Sequence, residues 1–205
     1  MNRRSFFRRG LGELLKPLAN AIAPVESTLR ELEKLDRTAP APKQSVSLDL
    51  WLRPPGALPE AQLQSTCSKC AKCVDVCPAA AIKLDPTGRL GNGLPYIEPD
   101  TLACIVCEGL QCMNHCPTGA LVPTPLIDID MGTAVWRTES CVRETEGRDC
   151  TICVDQCPLG QAAIKLEGNE VVVNPHGCVG CGLCQQYCPT EPRSIVVIPI
   201  AARRS

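Results

Sequence analysis

Residues 178–189 read Cys178-Val-Gly-Cys-Gly-Leu-Cys-Gln-Gln-Tyr-Cys188-Pro189, and this stretch decides the fold. Its four cysteines follow the spacing C-x₂-C-x₂-C-x₃-C, with a proline directly after the last one. Two-residue gaps let a tight loop present three thiolates to one face of a cubic metal cluster, and the glycines between them accept positive φ. The proline fixes φ and turns the chain away from the cluster. The stretch therefore predicts a [4Fe–4S] site.

Three more groups of four cysteines end in the same C-x₃-C-P pattern. The first group repeats the standard spacing, the second has four residues between Cys107 and Cys112, and the third has eight between Cys141 and Cys150. In chain order the groups are Cys67, Cys70, Cys73 and Cys77; Cys104, Cys107, Cys112 and Cys116; Cys141, Cys150, Cys153 and Cys157; and Cys178, Cys181, Cys184 and Cys188.

The fourth cysteine of such a run usually binds the other cluster of a pair, so these sites come in twos. An even total requires the third group to be complete. We therefore interpret Cys141 as a ligand separated by an inserted loop, and we predict four [4Fe–4S] clusters held by all sixteen cysteines.

Two other uses of cysteine fit the spacing less well. The even number of cysteines would allow every one of them to form a disulfide. However, cysteines separated by two-residue gaps and followed by a proline after the last one suit a cubane cluster better than disulfide cross-links. Zinc ribbons pair two C-x₂-C knuckles across a spacer, whereas these groups are triplets with a fourth cysteine. The histidines, His115 and His176, lie near complete groups, so we expect neither to be a ligand.

The segments between the cysteine groups repeat one plan. After each Cys-Pro comes a short β-like segment, and a turn and a second strand lead to the next group. Gly168-Asn169 in "AIKLEGNEVVVNP" is typical of a two-residue hairpin turn. The plan predicts an α+β fold of tandem bacterial-ferredoxin-like modules, two dicluster units built of short helices and β-hairpins, with an N-terminal helical extension.

Composition excludes several classes of function. Aromatic residues make up 3% of the 205 residues, so we expect the clusters to organise the interior. A net charge of −1 with no long basic run in the body argues against nucleic acid as the main partner. The glycines of "GRLGNG", residues 88–93, lack the spacing of a dinucleotide fingerprint, and no Walker motif occurs, so we expect no nucleotide cofactor. We expect Trp136 and Tyr96 to shield the clusters from water.

The order of these groups and their two irregular gaps resemble the NapG/MauM ferredoxin-type proteins. The resemblance rests on "CSKCAKCVDVCP", "CIVCEGLQCMNHCPTGAL", "DMGTAVWRTESC", "CTICVDQCP" and "CVGCGLCQQYCP", and it covers roughly residues 60–200. These are four-cluster ferredoxins associated with periplasmic nitrate reduction and methylamine oxidation. The resemblance implies electron transfer, commonly beside a membrane quinol dehydrogenase, to a partner oxidoreductase.

By similarity to related four-cluster subunits, the resemblance also implies a nested pairing of the groups, first with fourth and second with third. The implied ligand sets are Cys67, Cys70, Cys73 and Cys188; Cys178, Cys181, Cys184 and Cys77; Cys104, Cys107, Cys112 and Cys157; and Cys141, Cys150, Cys153 and Cys116. The polyferredoxin domain, 46–205, then divides into an outer unit, 60–100 plus 160–205, and an inner unit, 101–159. The sequence alone permits sequential pairing, first with second and third with fourth, equally well.

Residues 1–45 are predicted to form a basic amphipathic helix and a proline-rich linker. Arg3-Arg4 and the following phenylalanines resemble a twin-arginine export motif, but Glu13, Lys16 and two prolines interrupt the apolar stretch that export requires. Apolar residues within 3–22 fall on one helical face, which favours contact with a membrane surface or partner. We expect a cytoplasmic protein at the inner membrane face, with periplasmic export as the alternative.

Two functions remain open at this point. The first is a non-catalytic electron-transfer subunit of an oxidoreductase complex, since no substrate-pocket motif is visible. The second is an accessory ferredoxin that assembles or activates a partner redox enzyme.

Overall fold

The computed structural model describes residues 52–85 and 93–200, and in this part of the chain short elements alternate with the cysteine loops. The helices are α1 (Glu60–Thr66), α2 (Lys72–Asp75), α3 (Gln111–Asn114), α4 (Val142–Thr145), α5 (Ile152–Asp155) and α6 (Leu183–Gln186). The strands are β1 (Ile82–Leu84), β2 (Pro95–Ile97), β3 (Gly132–Trp136), β4 (Ile164–Glu167), β5 (Glu170–Val173) and β6 (Ile195–Pro199). This mixture of helices and strands agrees with the predicted α+β class.

The predictions for residues 1–45 and for most of the "GRLGNG" loop lie outside the described residues. Residues 48–205 form one compact unit. Within residues 52–85 and 93–200, no helix has the length and apolar character needed to cross a bilayer.

Four single-turn helices carry the third cysteine of each group. Cys73 lies in α2, Cys112 in α3, Cys153 in α5 and Cys184 in α6. Each helix ends before the C-P pair, because proline cannot donate the backbone hydrogen bond that would continue it. The repeated C-x₃-C-P pattern thus produces the same local structure four times.

Two of the predicted hairpins are present. Strands β4 and β5 pair antiparallel with Glu167 opposite Glu170, so that Gly168 and Asn169 form the two-residue turn. Gly168 has a φ of +63°, the left-handed conformation that such a turn requires. Strands β1 and β2 pair with Ile82 opposite Ile97.

The segment after the second cysteine group differs from the prediction. "TGALVPT" contains no regular strand, and Leu121 forms one isolated antiparallel bridge with Ala57. Strand β3, which leads into the third group, pairs instead with β6, which follows the fourth. The alternate side chains Ile195, Val197 and Pro199 of β6 are buried, so this pairing covers an apolar face.

These pairings divide the described residues into two halves of the same design. In the first half, residues 52–122, the segment before the first group meets the segment after the second, and the β1–β2 hairpin lies between them. In the second half, residues 131–200, the β3–β6 pair takes the place of that bridge and β4–β5 is the hairpin. The halves follow one another along the chain.

The core extends through both halves. One cluster of buried side chains includes Ile82 and Leu121 from the first half and Ile164 and Ile195 from the second. Cysteines occupy places in this core that large aliphatic or aromatic residues fill in other small domains, namely Cys112, Cys181, Cys184 and Cys188. The cysteine groups are therefore part of the interior.

Candidate metal centres

The cysteine loops turn through left-handed backbone conformations. Gly180 and Gly182 of the fourth group have φ of +73° and +91°, as glycine readily allows. Lys69 and Ala71 occupy the same places in the first group with φ of +57° and +61°. Left-handed φ is unfavourable for residues with a Cβ atom, so the surrounding fold must hold these two.

This backbone geometry brings amide groups to the cysteine sulfurs. Three N–H groups donate to Sγ atoms at 3.4 Å: Lys69 to Cys67, Val106 to Cys104 and Leu121 to Cys116. Hydrogen bonds to sulfur stabilise thiolate charge, which is the form of cysteine that binds iron.

Three small cavities are each lined by four cysteines. We name them site 1, with Cys67, Cys70, Cys73 and Cys116; site 2, with Cys77, Cys104, Cys107 and Cys112; and site 4, with Cys157, Cys178, Cys181 and Cys184. Most of the other lining residues are apolar. In each cavity, three cysteines come from one group and the fourth comes from the group next to it in the chain.

Cys153 identifies the remaining set, Cys141, Cys150, Cys153 and Cys188, which we name site 3. Burial and, after it, the nearby Cys150, Cys141 and Cys188 together raise the pKa of Cys153 to about 11. Cys141 is itself buried, with 7% of its surface exposed. The cysteine before the long gap thus lies with its own group.

This grouping follows the sequential order. The nested arrangement would bring Cys188 to the first group and Cys157 to the second. In the structure Cys188 lies beside the third group, and Cys157 lines the cavity of the fourth. The physical reason is the strand pairing, because the β3–β6 pair and the Ala57–Leu121 bridge each close one half upon itself.

A cubic iron–sulfur cluster fits these cavities. Each offers four thiols and a largely apolar lining around a hollow, and amide groups donate to sulfurs in sites 1 and 2. Within residues 52–85 and 93–200, no three His, Cys, Asp or Glu side chains converge on one point as the ligands of a single ion do. Thiols placed around a hollow suit a group that presents several iron atoms.

Burial opposes ionisation of the innermost thiols. It is the main cause that raises the pKa of Cys104, Cys112 and Cys181 to about 12. Burial likewise raises the pKa of Cys184. Because iron binds the thiolate, filling these sites displaces protons from the protein.

At two other cysteines, hydrogen bonds lower the pKa of the thiol. The backbone N–H of Lys72 and the hydroxyl of Ser68 lower the pKa of the exposed Cys70. Burial opposes ionisation of Cys188, but the hydroxyls of Ser194 and Thr190, each 3.2 Å from its Sγ, outweigh it and lower its pKa.

The long gap in the third group folds as a compact insertion. Helix α4 begins directly after Cys141, and a backbone N–H from Thr145 donates to the Cys141 carbonyl at 2.9 Å. The buried Arg143 then donates to the carbonyl of Cys150 at 2.9 Å. The spacing predicted a loop here but gave no sign that this arginine would hold it.

Sites 2 and 4 adjoin where the two halves meet. The N–H of Cys104 donates to the carbonyl of Cys181 at 3.0 Å. Beside this bond, Gln186 accepts a hydrogen bond from the N–H of Ala103 at 2.9 Å. We call this contact the junction, and sequence spacing could not reveal it because its partners come from different groups.

Other residues singled out from the sequence lie near the surface or in the core. His115 and His176 are exposed, and the Nδ1–H of His115 donates to the carbonyl of Gln111 at 3.0 Å. Tyr96 is buried, and Trp136 is half-buried and packs on the core that contains the cysteines. Their shielding of clusters stays a prediction.

Comparison with known proteins agrees with this division into halves. Two models described as 4Fe-4S dicluster domains match residues 66–120 and 147–189. A methylamine utilization ferredoxin-type protein MauM from Paracoccus denitrificans is 36% identical over 160 residues, which cover 72% of this chain and 71% of that protein. The chain belongs to the NapG/MauM family of ferredoxin-type proteins.

Further relatives extend the match. A MauM protein from Methylobacillus flagellatus is 37% identical, with 80% of this chain and 72% of that protein covered. The ferredoxin-type protein NapG from Escherichia coli is 34% identical, with 73% and 71% covered. This NapG/MauM-family chain is thus a ferredoxin-type electron-transfer protein with two tandem 4Fe-4S dicluster domains, as the sequence predicted.

Proposed function

We propose that this chain is an electron-relay subunit that carries four [4Fe–4S] clusters, with the sixteen cysteines as ligands in the sets of sites 1 to 4. Each cluster, when bound, takes up and releases one electron. This proposal replaces the nested pairing by the sequential one. The support is the lining of three cavities, the surroundings of Cys153 and the two consecutive dicluster matches.

The observation that carries the relay is the order of the sites. Within each half the two sites exchange their fourth cysteine: Cys77 reaches site 2, and Cys116 reaches site 1. Sites 2 and 4 adjoin through the hydrogen bond between Cys104 and Cys181. In this proposal the four sites form the row 1, 2, 4, 3, in which sites 2 and 4 connect the two halves.

The protein's own groups adapt the sites to electron transfer. The apolar cavity linings exclude water from the clusters, and backbone amide and side-chain hydroxyl groups donate hydrogen bonds to the cysteine sulfurs. Sites 1 and 3 lie at the two ends of the proposed row. Cys70 of site 1 is exposed, and an open groove borders Cys150 of site 3. A redox partner can approach either end without disturbing the junction.

We assign the partners by analogy with the family. The donor is a membrane quinol dehydrogenase and the acceptor is an oxidoreductase subunit, with residues 3–22 as a peripheral contact to the membrane. We place the chain in the cytoplasm at the inner membrane face, with twin-arginine export to the periplasm as the competing location.

The test combines iron analysis with reductive titration of the purified protein. Four cubanes require about sixteen iron and sixteen sulfide per chain and about four electrons for full reduction. Fewer than four clusters would refute the proposed set. Clusters lost during a cycle of reduction and oxidation would favour an assembly or activation factor for a partner enzyme over a relay.

Cell fractionation with intact-mass measurement tests the location. A full-length chain on the cytoplasmic face supports the proposal, whereas a shortened periplasmic form overturns it and identifies the Arg3-Arg4 segment as an export signal.

A further inference from the structure

Arg143 is a buried cation inside the insertion of the third cysteine group. The residue is 6% exposed. Its guanidinium donates four hydrogen bonds: Nη1 to the carbonyl of Cys150 at 2.9 Å and to Oδ1 of Asp149 at 3.0 Å, Nε to the carbonyl of Asn169 at 3.1 Å, and Nη2 to the carbonyl of Gly168 at 3.3 Å. Arginine is suited to this place because its rigid fork can serve several acceptors at once.

These bonds join three parts of the second half. Arg143 stands in α4, Cys150 is the second cysteine of site 3, and Gly168-Asn169 is the turn of the β4–β5 hairpin. Asn169 strengthens the same contact by donating to Glu144 at 2.6 Å. The insertion is thereby fixed on both sides, and Cys150 is held at the position from which its thiol reaches site 3.

The charge of Arg143 is only partly balanced. Its ion-pair partner Asp149 has a side chain that is 92% exposed, whereas that of Arg143 is 7% exposed. Water screens the carboxylate far more than the guanidinium. The other charges of the insertion, Glu144, Glu146 and Arg148, are exposed, and the last two pair with each other.

We propose that Arg143 is a positioning residue of site 3 that also raises the reduction potential of the cluster there. Uptake of one electron adds one negative charge to the cluster, and a poorly screened positive charge nearby stabilises the reduced form. The inference rests on the proposed function for the presence of a cluster at site 3.

The experiment is a potentiometric titration of the loaded full-length protein with dithionite as reductant, followed by electron paramagnetic resonance. Three variants are compared: Arg143→Gln, Asp149→Asn and, as a matched control in the same insertion, Arg148→Gln. Arg143→Gln should make reduction of one cluster about tenfold less favourable, which for one electron is about 59 mV. Asp149→Asn should shift the same signal to higher potential, but by less than Arg143→Gln lowers it, because water screens the exposed carboxylate. Arg148→Gln should shift no signal.

Opposite shifts of one signal would support the charge effect, because a purely structural disturbance does not reverse its sign between the two variants. If Arg143→Gln loses the signal and the iron of one site, this result supports the positioning role of Arg143. The charge effect is then tested by the shift in reduction potential of Asp149→Asn alone. No shift in Asp149→Asn, or equal shifts in all three variants, would overturn the proposal. Fewer than four clusters in the unmodified protein would refute the proposed function itself, before any variant is compared.

Discussion

Cys141 lies buried directly before α4, and eight residues separate it from the next cysteine of its group. At the scale of single residues, its position shows how a group tolerates an insertion. The gap is closed by α4 and by the hydrogen bond from Arg143 to the carbonyl of Cys150. The thiol of Cys141 therefore lies near Cys153 although the chain between them is long.

Replacement of Cys141 by alanine should remove one cluster, because site 3 then keeps three thiols. Iron per chain should fall from about sixteen to about twelve, with little change in the other three clusters. Ser140→Ala is the matched control, since its hydroxyl has no hydrogen-bond partner among the described residues. Iron analysis would contradict the assignment if both variants kept four clusters.

The pKa values of the thiols predict a pH dependence of cluster loading. In site 1, hydrogen bonds lower the pKa of Cys70 and, outweighing burial, that of Cys116, whereas burial raises the pKa of Cys73 to about 11. In site 2, burial raises the pKa of both Cys104 and Cys112 to about 12. Thiolates form above the pKa, so site 1 has one thiol that resists ionisation and site 2 has two that resist it more strongly. As the pH of reconstitution falls from about 9 to 6, site 2 should lose iron before site 1.

Iron content and magnetic resonance spectra across this pH range would check the order. A Cys70→Ala variant identifies which signal belongs to site 1. Simultaneous loss of both signals, or earlier loss of the site 1 signal, would contradict the prediction.

At the scale of elements, the sequence predicted the helices and turns that are determined by residues close together in the chain. Proline after each fourth cysteine accounts for the single-turn helices, and Gly168-Asn169 accounts for the β4–β5 turn. Spacing also indicates which three cysteines stay together. It cannot indicate the source of the fourth, because this depends on the long-range pairing of β3 with β6 and of Ala57 with Leu121.

The junction between the halves depends on a close approach at Gly182. A Cβ atom there would lie 2.7 Å from Cβ and 2.9 Å from Cγ of Pro99, whereas one at Gly168 would meet nothing within 4 Å. Both glycines have positive φ, so alanine at either costs about 1 kcal/mol for backbone strain. Gly182→Ala adds overpacking, about 1–3 kcal/mol more.

The two alanine variants form a matched pair for thermal unfolding of the loaded protein. Gly182→Ala should lower the unfolding midpoint clearly more than Gly168→Ala. Equal midpoints would mean that the halves do not pack closely at the junction.

At the scale of the whole molecule, the core joins the two halves although each has its own strand pairing. Ile97 of the first half and Ile164 and Ile195 of the second belong to one buried cluster, and Gln185 donates to Asp100 across the junction at 2.9 Å. Neither half can unfold without exposing apolar surface of the other.

We therefore expect one cooperative unfolding transition for residues 48–205. Circular dichroism and the visible absorbance of the clusters should report the same midpoint, because loss of ligation and loss of the core coincide. Two separated transitions would show that the halves are independent domains.

The exchange of fourth cysteines within each half has a consequence for how the protein is made. With the sequential pairing proposed here, both sites of the first half have all their ligands once the chain has been synthesised as far as Cys116. A nested pairing would leave the first group incomplete until Cys188 had been added. The first half can therefore bind its two clusters while the ribosome is still synthesising the second half.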